Sequence, residues 1–275
     1  MSQRGHHVLS AVFIPFLSLL FLVPFAFILT TASKSRNEAA LFEFSLPSEW
    51  HLFENLWDAI AARNYMLVAA FINSTILTVC SVAIMVVLSS MVAYVLQRRR
   101  SRWNIVADLL ILSGLIIPPA VVPTVWVLQE LHLFKTLTGL ILIEVAFGMS
   151  FCILLFRAFI ATIPRELDEA AIIDGARPLR VFFSVIFPLL KSVTVTVIVT
   201  QTVFVFNDFV NPLYFLPGDE NATVQLTLFN FQSQFATSYH LLFADILLIT
   251  IPPLIMFMFF NRRIVDGLTA GAVKG

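Results

Sequence analysis

Polar residues are scarce in this sequence, so the few that interrupt its apolar segments are the first candidates for a functional role. Only 12% of its 275 residues are charged, whereas 59% are hydrophobic. The most distinctive interruption is an acidic, alanine-rich run with the sequence Glu169-Ala170-Ala171-Ile172-Ile173-Asp174-Gly175-Ala176. In so apolar a chain, this run predicts a compact amphipathic helix that faces water. Its expected role is recognition of another molecule.

The residues around the run predict where its helix begins and ends. Pro164 suits the first turn of a helix, where its missing N–H costs nothing. Three acidic residues in the same turn, Glu166, Asp168 and Glu169, complement the helix dipole. Gly175 suits the position just past the last turn, where a positive φ is wanted. Pro178 can then open a second helix, so residues 164–180 are expected to form a helix–turn–helix at the inner membrane face.

The predicted helix has the surface of a protein-binding element. Ala170 and Ala171 give one face of the helix only small side chains, so that another backbone can approach closely. Ile172 and Ile173 offer an apolar anchor. The acidic residues are expected to form a polar rim around this anchor. An alternative is a helix that lies on lipid, but membrane-surface helices favour Lys and Arg over acidic residues.

The elements that position this helix are apolar segments of membrane-spanning length, for which about 20 mostly apolar residues are needed. Six such segments cover residues 8–31, 66–96, 109–128, 138–160, 182–206 and 240–260. Prolines interrupt the third segment, and Glu144 lies in the fourth. The segments predict an all-α polytopic membrane protein with a single transmembrane domain over residues 1–275.

The distribution of Lys and Arg predicts the orientation of these spans. With the N-terminus inside, the inner segments hold 13 of the 17 basic residues. The other four are Lys34, Arg36, Arg63 and Lys135. Basic residues favour the cytoplasmic side of a membrane, so both termini and the acidic run are expected in the cytoplasm. The cluster at residues 98–102 is then an inside anchor.

Composition and motifs exclude several other classes of protein. The net charge of zero gives no broad attraction for nucleic acid. The five His residues are scattered without metal-ligand spacing, and Cys80 and Cys152 lie in apolar segments as small buried side chains. No Gly-x-x-x-x-Gly-Lys-Ser/Thr loop occurs, so ATP hydrolysis by such a loop requires another polypeptide. We expect no catalytic, metal or cofactor site in this chain.

The acidic run and the residues after it resemble the "EAA" signature of importer-type ABC permeases. Glu169-Ala170-Ala171 and Gly175 match the signature, and Val185-Ile186-Phe187-Pro188 stands at its end. The run Phe206-Asn207-Asp208-Phe209 and the tail at residues 262–275 resemble the shorter permease of maltose/trehalose-type carbohydrate systems. Because the six-span layout also fits, the resemblance covers nearly the whole chain.

The resemblance implies the fold and the partners of such a permease, in a bacterial or archaeal cell membrane. A second permease would complete the pathway, two copies of an ATPase would bind ATP and Mg²⁺ inside, and a solute-binding protein would act outside. The ATPase-coupling residues would be Glu169, Ala170, Ala171, Asp174 and Gly175. Closure of the ATPase would then drive alternating access. The implied cargo is a di- or oligosaccharide or a related polyol, although another solute class remains an alternative.

Two polar stripes on the fifth span are candidates for the substrate pathway. At about 100° per residue, one stripe joins residues that lie within about 40° of one another. These are Thr196, Thr200 and Asn207, and the second stripe holds Thr194, Gln201 and Asp208. Either stripe could line the pathway while the other packs against the partner permease. Thr in a spanning helix also often bonds its own backbone.

Glu144 supports a competing interpretation from a different class of transporter. A carboxyl group inside a span is a functional candidate by default, and a proton-coupled secondary transporter could use it. No charged relay lies near it in the sequence, so a structural hydrogen bond explains it more simply.

Overall fold

The computed structural model describes residue 17 and residues 20–99, 101–232 and 237–272, and these residues form helices and no strand. The helices are α1 (Leu20–Ala32), α2 (Arg36–Ala39), α3 (Leu52–Arg98), α4 (Trp103–Ile116), α5 (Val121–Glu130), α6 (Leu137–Ile160), α7 (Glu166–Ile173), α8 (Pro178–Val181), α9 (Phe187–Leu189), α10 (Lys191–Asn207), α11 (Val210–Phe215) and α12 (Tyr239–Ala272). A π-helical segment, Phe182–Ile186, joins α8 to α9, and Val224–Phe231 is a 3₁₀ helix. The all-α prediction is confirmed. Much of residues 8–19 in the first predicted span, and the last three residues of the tail, lie outside the described ranges.

Fewer than six of the described helices can each cross a bilayer as one unbroken span. Helices α3 and α6 are each long and apolar enough, and two bent pairs raise the number to four if each pair is one span. The predicted first and last spans coincide with the described apolar parts of α1 and α12, Leu20–Ala32 and Tyr239–Ile255. Straight and bent apolar elements therefore both occur among the candidate spans.

The first bent pair replaces the third predicted span. The chain bends by 115° between α4 and α5. Between them lie Pro118 and Pro119, which have no N–H to donate and which disfavour helical geometry in the residue before each of them. Ile117, directly before this pair, has the extended angles φ −82° and ψ 120°. The prolines thus end α4 and turn the chain before α5 begins.

The second bent pair corrects the prediction of a continuous fifth span over residues 182–206. The segment Pro178–Leu189 meets α10 at 78°. Pro188 cannot donate a hydrogen bond to the carbonyl four residues earlier, and its ring would crowd that carbonyl. The π-helical segment before it widens the helix at this place, and the bend follows at Leu190. This region is therefore a bent pair of helices instead of one continuous helix.

Helix α3 also consists of two pieces. Ala62 has an extended ψ of 140°, and Arg63, Asn64 and Tyr65 have positive φ angles of 46°, 55° and 60°. Non-glycine residues take such angles only locally, so the helical path is interrupted there. The kink lies directly before residue 66, where the apolar segment of the sequence begins.

The described residues cluster into two compact units, of which the first comprises Met1–Ala70 and Val224–Ile251. Its apolar core includes Ala32, Phe231 and Leu242. Asn55 on α3 donates to the carbonyls of Ala32 and Lys34 at 2.8 and 2.9 Å, and this pair of bonds satisfies the end of α1.

The second unit, Phe71–Thr223 with Pro252–Gly275, holds the larger core and the candidate sites. One face of α3 carries small or flexible buried side chains at helical spacing: Ser74, Thr78, Ser81, Met85, Ser89 and Ala93. Small residues allow helices to approach closely within a membrane. Two glycines serve the same purpose, since a Cβ on Gly114 would lie 2.4 Å from Ser150 Oγ and one on Gly148 would lie 2.3 Å from Met85 Sδ.

We expect Gly114→Ala to lower the thermal stability of the purified protein, because the added methyl group overpacks the contact between α4 and α6. Overpacking costs about 1–3 kcal/mol. Adding Ser150→Ala should restore most of the loss, since the nearest remaining atom is Ser150 Cβ at 3.4 Å. Melting temperatures of the two single variants and the double variant measure the effect. Additive losses in the double variant would contradict the proposed contact.

Candidate functional site

Helix α7 begins two residues later than the sequence suggested. Arg165 is its N-cap and Glu166 its first residue, so Pro164 lies outside the helix, and its predicted place in the first turn was wrong. The reason is a long-range contact: Arg98 on α3 donates to the carbonyls of Ile163 and Pro164 at 3.0 and 3.5 Å. These carbonyls are held by α3 instead of starting the helix. The three acidic residues do occupy the first turn.

The end of α7 agrees with the prediction from Gly175. This glycine has a φ of +81° and donates its N–H to the carbonyl of Ile172 at 2.9 Å. The next N–H, that of Ala176, reaches back to the carbonyl of Ala171 at 3.0 Å. The two bonds form a Schellman motif, which satisfies the last carbonyls of the helix. Pro178 then stands in the first turn of α8.

Asp168 fastens α7 to α3. Tyr94 donates its hydroxyl to Asp168 Oδ1 at 2.6 Å, and Arg98 pairs with Oδ2 at 2.9 Å. The side chain of Asp168 is only 10% exposed, so the expectation that it belongs to an outer polar rim was wrong. Tyr94 and Arg98 are four residues apart on α3 and share one face, which lets both reach the same carboxylate. Arg165 adds a bond to the carbonyl of Gln97 at 3.1 Å.

The opposite side of α7 is open to solvent. Ile173 is 85% exposed and Ile172 is 60% exposed. The acidic Glu169 and Asp174 are exposed beside them, as is Ala170. The expectation of one low alanine face needs correction, because Ala171 packs against the core of the second unit. The exposed surface of α7 is thus an isoleucine pair with acidic neighbours. A groove of about 510 Å³ along its other edge is lined in part by Arg98, Arg99 and Arg165.

A second candidate site is a half-open cavity of about 770 Å³ formed by α6, α10 and the start of α11. Five polar side chains line it: Glu144, Gln201, Asn207, Asp208 and Asn211. Aromatic rings contribute much of the remaining wall: Phe147, Phe151 and Phe204. We refer to this space as the α6–α10 cavity. Rings beside amides and carboxyl groups suit a polar solute that also has an apolar face.

The two acidic residues of the α6–α10 cavity are held differently. Glu144 is buried and accepts a hydrogen bond from Asn211 Nδ2 at 3.2 Å. Asp208 uses Oδ1 to accept from the N–H groups of Val210 and Asn211 at 2.9 and 3.3 Å. The carboxyl group of Asp208 therefore caps α11 and lies beside that of Glu144.

The prediction that one stripe of α10 lines the pathway while the other packs against protein does not match the structure. Thr196 and Thr200 lie outside the wall of the cavity and bond to the carbonyls of Ser192 and Thr196. Asn207, from the same predicted stripe, lines the cavity together with Gln201 and Asp208 from the other stripe. The structure thus brings together three of the six residues of the two predicted stripes.

Sequence reasoning missed several residues of both sites. Asn211 and the rings of α6 were not predicted, nor was the pairing of Asp168 with Tyr94 and Arg98. A signal existed for Asn211, which follows Asn207 at a sequence spacing of four residues. Tyr94 and Arg98 carried only the weaker signal of a polar pair at a spacing of four residues. In the described part of the chain, no group of three His, Cys, Asp or Glu residues could hold a metal ion.

Broken spanning helices, a solvent-facing helix fastened to them and a polar cavity at their side define a class, the membrane permeases of transport systems. Residues 85–269 match the family described as binding-protein-dependent transport system inner membrane component. The match extends over more than half of the chain, and this protein belongs to that family. It is a permease component of a transport system.

Known proteins resemble the chain along most of its length. It is 33% identical to the melibiose/raffinose/stachyose import permease protein MelC of Bacillus subtilis (strain 168), over 92% of this chain and 91% of that protein. It is 30% identical to the diacetylchitobiose uptake system permease protein NgcG of Streptomyces coelicolor, over 99% of this chain and 91% of that protein. A solved bacterial ABC transporter for the acidic polysaccharide alginate has the same fold, with a TM-score of 0.81 and 20% identity over 95% of this chain and 98% of that chain.

We expect Asp168→Asn to loosen α7 while leaving the spans folded. The substitution keeps an oxygen for Tyr94 but leaves the guanidinium of Arg98 without its counter-charge. Removing one partner of a buried ion pair costs roughly 3 kcal/mol or more, so amides of residues 166–176 should exchange about 100-fold faster. Hydrogen exchange measured by mass spectrometry reports this directly. Glu166→Gln, at an exposed position of the same turn, is the matched control and should change exchange little. Unchanged protection in Asp168→Asn would rule out the anchoring role.

Proposed function

We propose that this chain is one of two permeases in an ATP-driven importer of a carbohydrate, and that α7 is the helix on which the ATPase docks. The observation that carries this proposal is the contrast between the two sides of α7. Its inner side is fixed to α3 by the Asp168 contacts, and its outer side exposes Ile173. A helix that is rigidly attached and apolar at its tip can bind a partner and transmit its motion to the spans.

The ends of α7 support the same role. The Schellman motif at Gly175 fixes the turn between α7 and α8, and α8 continues through the π-helical segment towards α10. A displacement of α7 therefore reaches α10 through a short, hydrogen-bonded connection instead of a loose loop. Glu169, Ala170, Asp174 and Gly175 are exposed beside the isoleucine pair. We assign these four to the docking surface, and Ala171 to the support beneath it.

The partners and the orientation follow from charge and family. The surroundings of α7 hold basic residues from three segments, among them Arg98, Arg165 and Arg177. Basic residues favour the cytoplasmic side, which is where an ATPase that binds ATP and Mg²⁺ is found. The family depends on a solute-binding protein by its description. We propose two ATPase copies inside, a second permease beside this chain in the cell membrane, and both termini of this chain in the cytoplasm.

The cargo is proposed to be a neutral di- or oligosaccharide or a related polyol. The named relatives import melibiose, raffinose, stachyose and diacetylchitobiose. The α6–α10 cavity has rings that can stack on sugar faces, and amides that can exchange hydrogen bonds with hydroxyls. We propose Gln201, Asn207 and Asp208 as pathway residues, and assign Thr196 and Thr200 to packing because their hydroxyls bond to their own helix.

Uptake by the complete transporter tests the cargo and the energy source together. In liposomes that contain all subunits, we expect ATP inside to drive accumulation of at least one labelled sugar from a panel of melibiose, raffinose, maltose and diacetylchitobiose. A protonophore should not stop this uptake while ATP is held constant. Labelled amino acids are the control cargo. Uptake of an amino acid and of no saccharide would overturn the carbohydrate assignment.

Gly175→Val tests α7 as the coupling element. A side chain at Gly175 would meet no atom within 4 Å, so any effect arises from the backbone. A φ of +81° is unfavourable for a β-branched residue by roughly 1–2 kcal/mol, and the Schellman motif should be lost. We expect ATP-driven uptake to fall at least tenfold and less ATPase to co-purify, while the amount of membrane-inserted permease stays unchanged.

The matched control is Gly218→Val. Gly218 also has a positive φ, +116°, and also has no atom within 4 Å of an added Cβ, but it lies far from α7 in sequence, between α11 and the 3₁₀ helix. We expect this variant to keep the ATPase bound. Normal uptake by Gly175→Val, or equal loss of the ATPase in both variants, would contradict the docking assignment.

A further inference from the structure

The ionisable residues that line the α6–α10 cavity are all acidic. Its described lining includes two carboxyl residues, Glu144 and Asp208, and no Lys, Arg or His. Two adjacent carboxyl groups repel each other's charge, and a pair that shares one proton still carries one negative charge. Inside a membrane protein, where little water screens it, such a charge acts strongly on any solute that enters.

Gln201 and Asp208 bring polar atoms to the wall of the cavity. The side chain of Gln201 is only 6% exposed. The second oxygen of Asp208, Oδ2, is buried and accepts no backbone N–H, and the carboxyl group of Asp208 lies beside that of Glu144. Burying a polar group without a hydrogen bond costs free energy. A buried acceptor at this place needs a donor, which is either the carboxyl group of Glu144 beside it or a molecule inside the cavity.

The capping role of Asp208 uses only one of its two oxygens. Oδ1 alone accepts the two N–H groups at the start of α11. An asparagine could cap in the same way, so the cap does not require a second carboxylate oxygen. Similarly, the bond from Asn211 occupies one oxygen of Glu144. Each carboxyl group thus combines a structural bond with acceptor capacity directed to the solute.

We propose that the α6–α10 cavity is a saccharide subsite of this chain, and that Glu144 and Asp208 make it selective for saccharides without a negative charge. This inference rests on the proposed function, and it adds the residues that select a cargo without negative charge. Carboxylate oxygens accept hydrogen bonds from sugar hydroxyls, while the amide of Gln201 can both donate and accept. The rings of Phe147, Phe151 and Phe204 provide stacking surfaces. A uronic acid would bring its carboxylate beside two others and meet repulsion.

The charge of the cavity can be measured without knowing the cargo. The complete transporter is prepared with Cys80→Ala and Cys152→Ala, and Phe204→Cys introduces one thiol at a cavity residue that is 70% exposed. The thiol is then labelled with a cationic and an anionic methanethiosulfonate reagent, and each rate is divided by the rate on a free small thiol. A negative cleft raises the local concentration of cations by tenfold or more. We expect the cationic reagent to react at least tenfold faster.

Matched backgrounds identify the source of this preference. Adding Glu144→Gln and Asp208→Asn should bring the ratio of the two rates close to one, since both replacements keep an acceptor oxygen for the existing structural bonds. Adding Glu220→Gln instead removes an exposed carboxylate outside the cavity and should leave the ratio unchanged. Equal rates of the two reagents in the Phe204→Cys protein, or a ratio that survives removal of both cavity carboxyls, would overturn the proposal.

A protection measurement tests whether the charged cavity holds sugar. We expect the neutral saccharide that the uptake panel identifies to slow labelling about fivefold or more, and digalacturonate at the same concentration to have no effect. Gln201→Leu should weaken the protection by the neutral sugar about tenfold, as expected for a lost hydrogen bond at a buried site. Thr200→Val, outside the cavity, should not.

The two proposals fail in different ways. If the transporter takes up a neutral sugar that gives no protection, the subsite is wrong and the permease function stands. If digalacturonate protects as well as the neutral sugar does, the selectivity is wrong. If no saccharide of the panel is taken up, the proposed carbohydrate function itself fails, whatever the labelling rates show.

Discussion

The contact between Arg98 and Asp168 determines where the proposed docking surface of this protein lies. It joins the end of α3 to the first turn of α7, and Tyr94 shares the same carboxylate. A charge buried in this way is stable only while its partner is present. Helix α7 must therefore pack on α3 with Asp168 against Arg98. With its inner face fixed, the helix must present Ile172 and Ile173 to solvent. The same guanidinium binds the carbonyl of Ile163, which fixes the start of α7 as well as its rotation.

Satisfaction of backbone groups is the second constraint, and it explains the broken spans. An apolar environment penalises every free N–H or carbonyl, so a proline in a spanning helix needs a local rearrangement around it. Pro118 and Pro119 separate α4 from α5, and Pro188 follows a π-helical segment before the bend at Leu190. The second bend has a functional consequence, because it directs α10 as a separate helix along α6. The α6–α10 cavity lies between these two helices and the start of α11.

The sequence predicted features whose causes are local. Gly175 and Pro178 mark the turn after α7 because a positive φ and a missing N–H are properties of single residues. Helix α6, Leu137–Ile160, lies within one residue of the apolar segment that the sequence shows, because no proline interrupts it. The direction of Asp168 was not predictable in this way. An acidic residue in a first turn complements the helix dipole whichever way it faces, and its partners stand about 70 residues earlier on another helix.

The polar stripes of α10 show why helical geometry alone could not identify the cavity wall. A threonine hydroxyl is short enough to reach the carbonyl one turn back, as Thr196 and Thr200 do, and this bond satisfies it without a solute. Angular position also loses its meaning at the end of a helix. Helix α10 ends at Asn207, and Asp208 is extended with a ψ of 125°, so the rotation of 100° per residue no longer applies between them. Two neighbours that a regular helix would separate therefore line one cavity. Because the helix ends there, Asp208 caps α11 with one oxygen while its carboxyl group lies in the cavity wall beside Glu144.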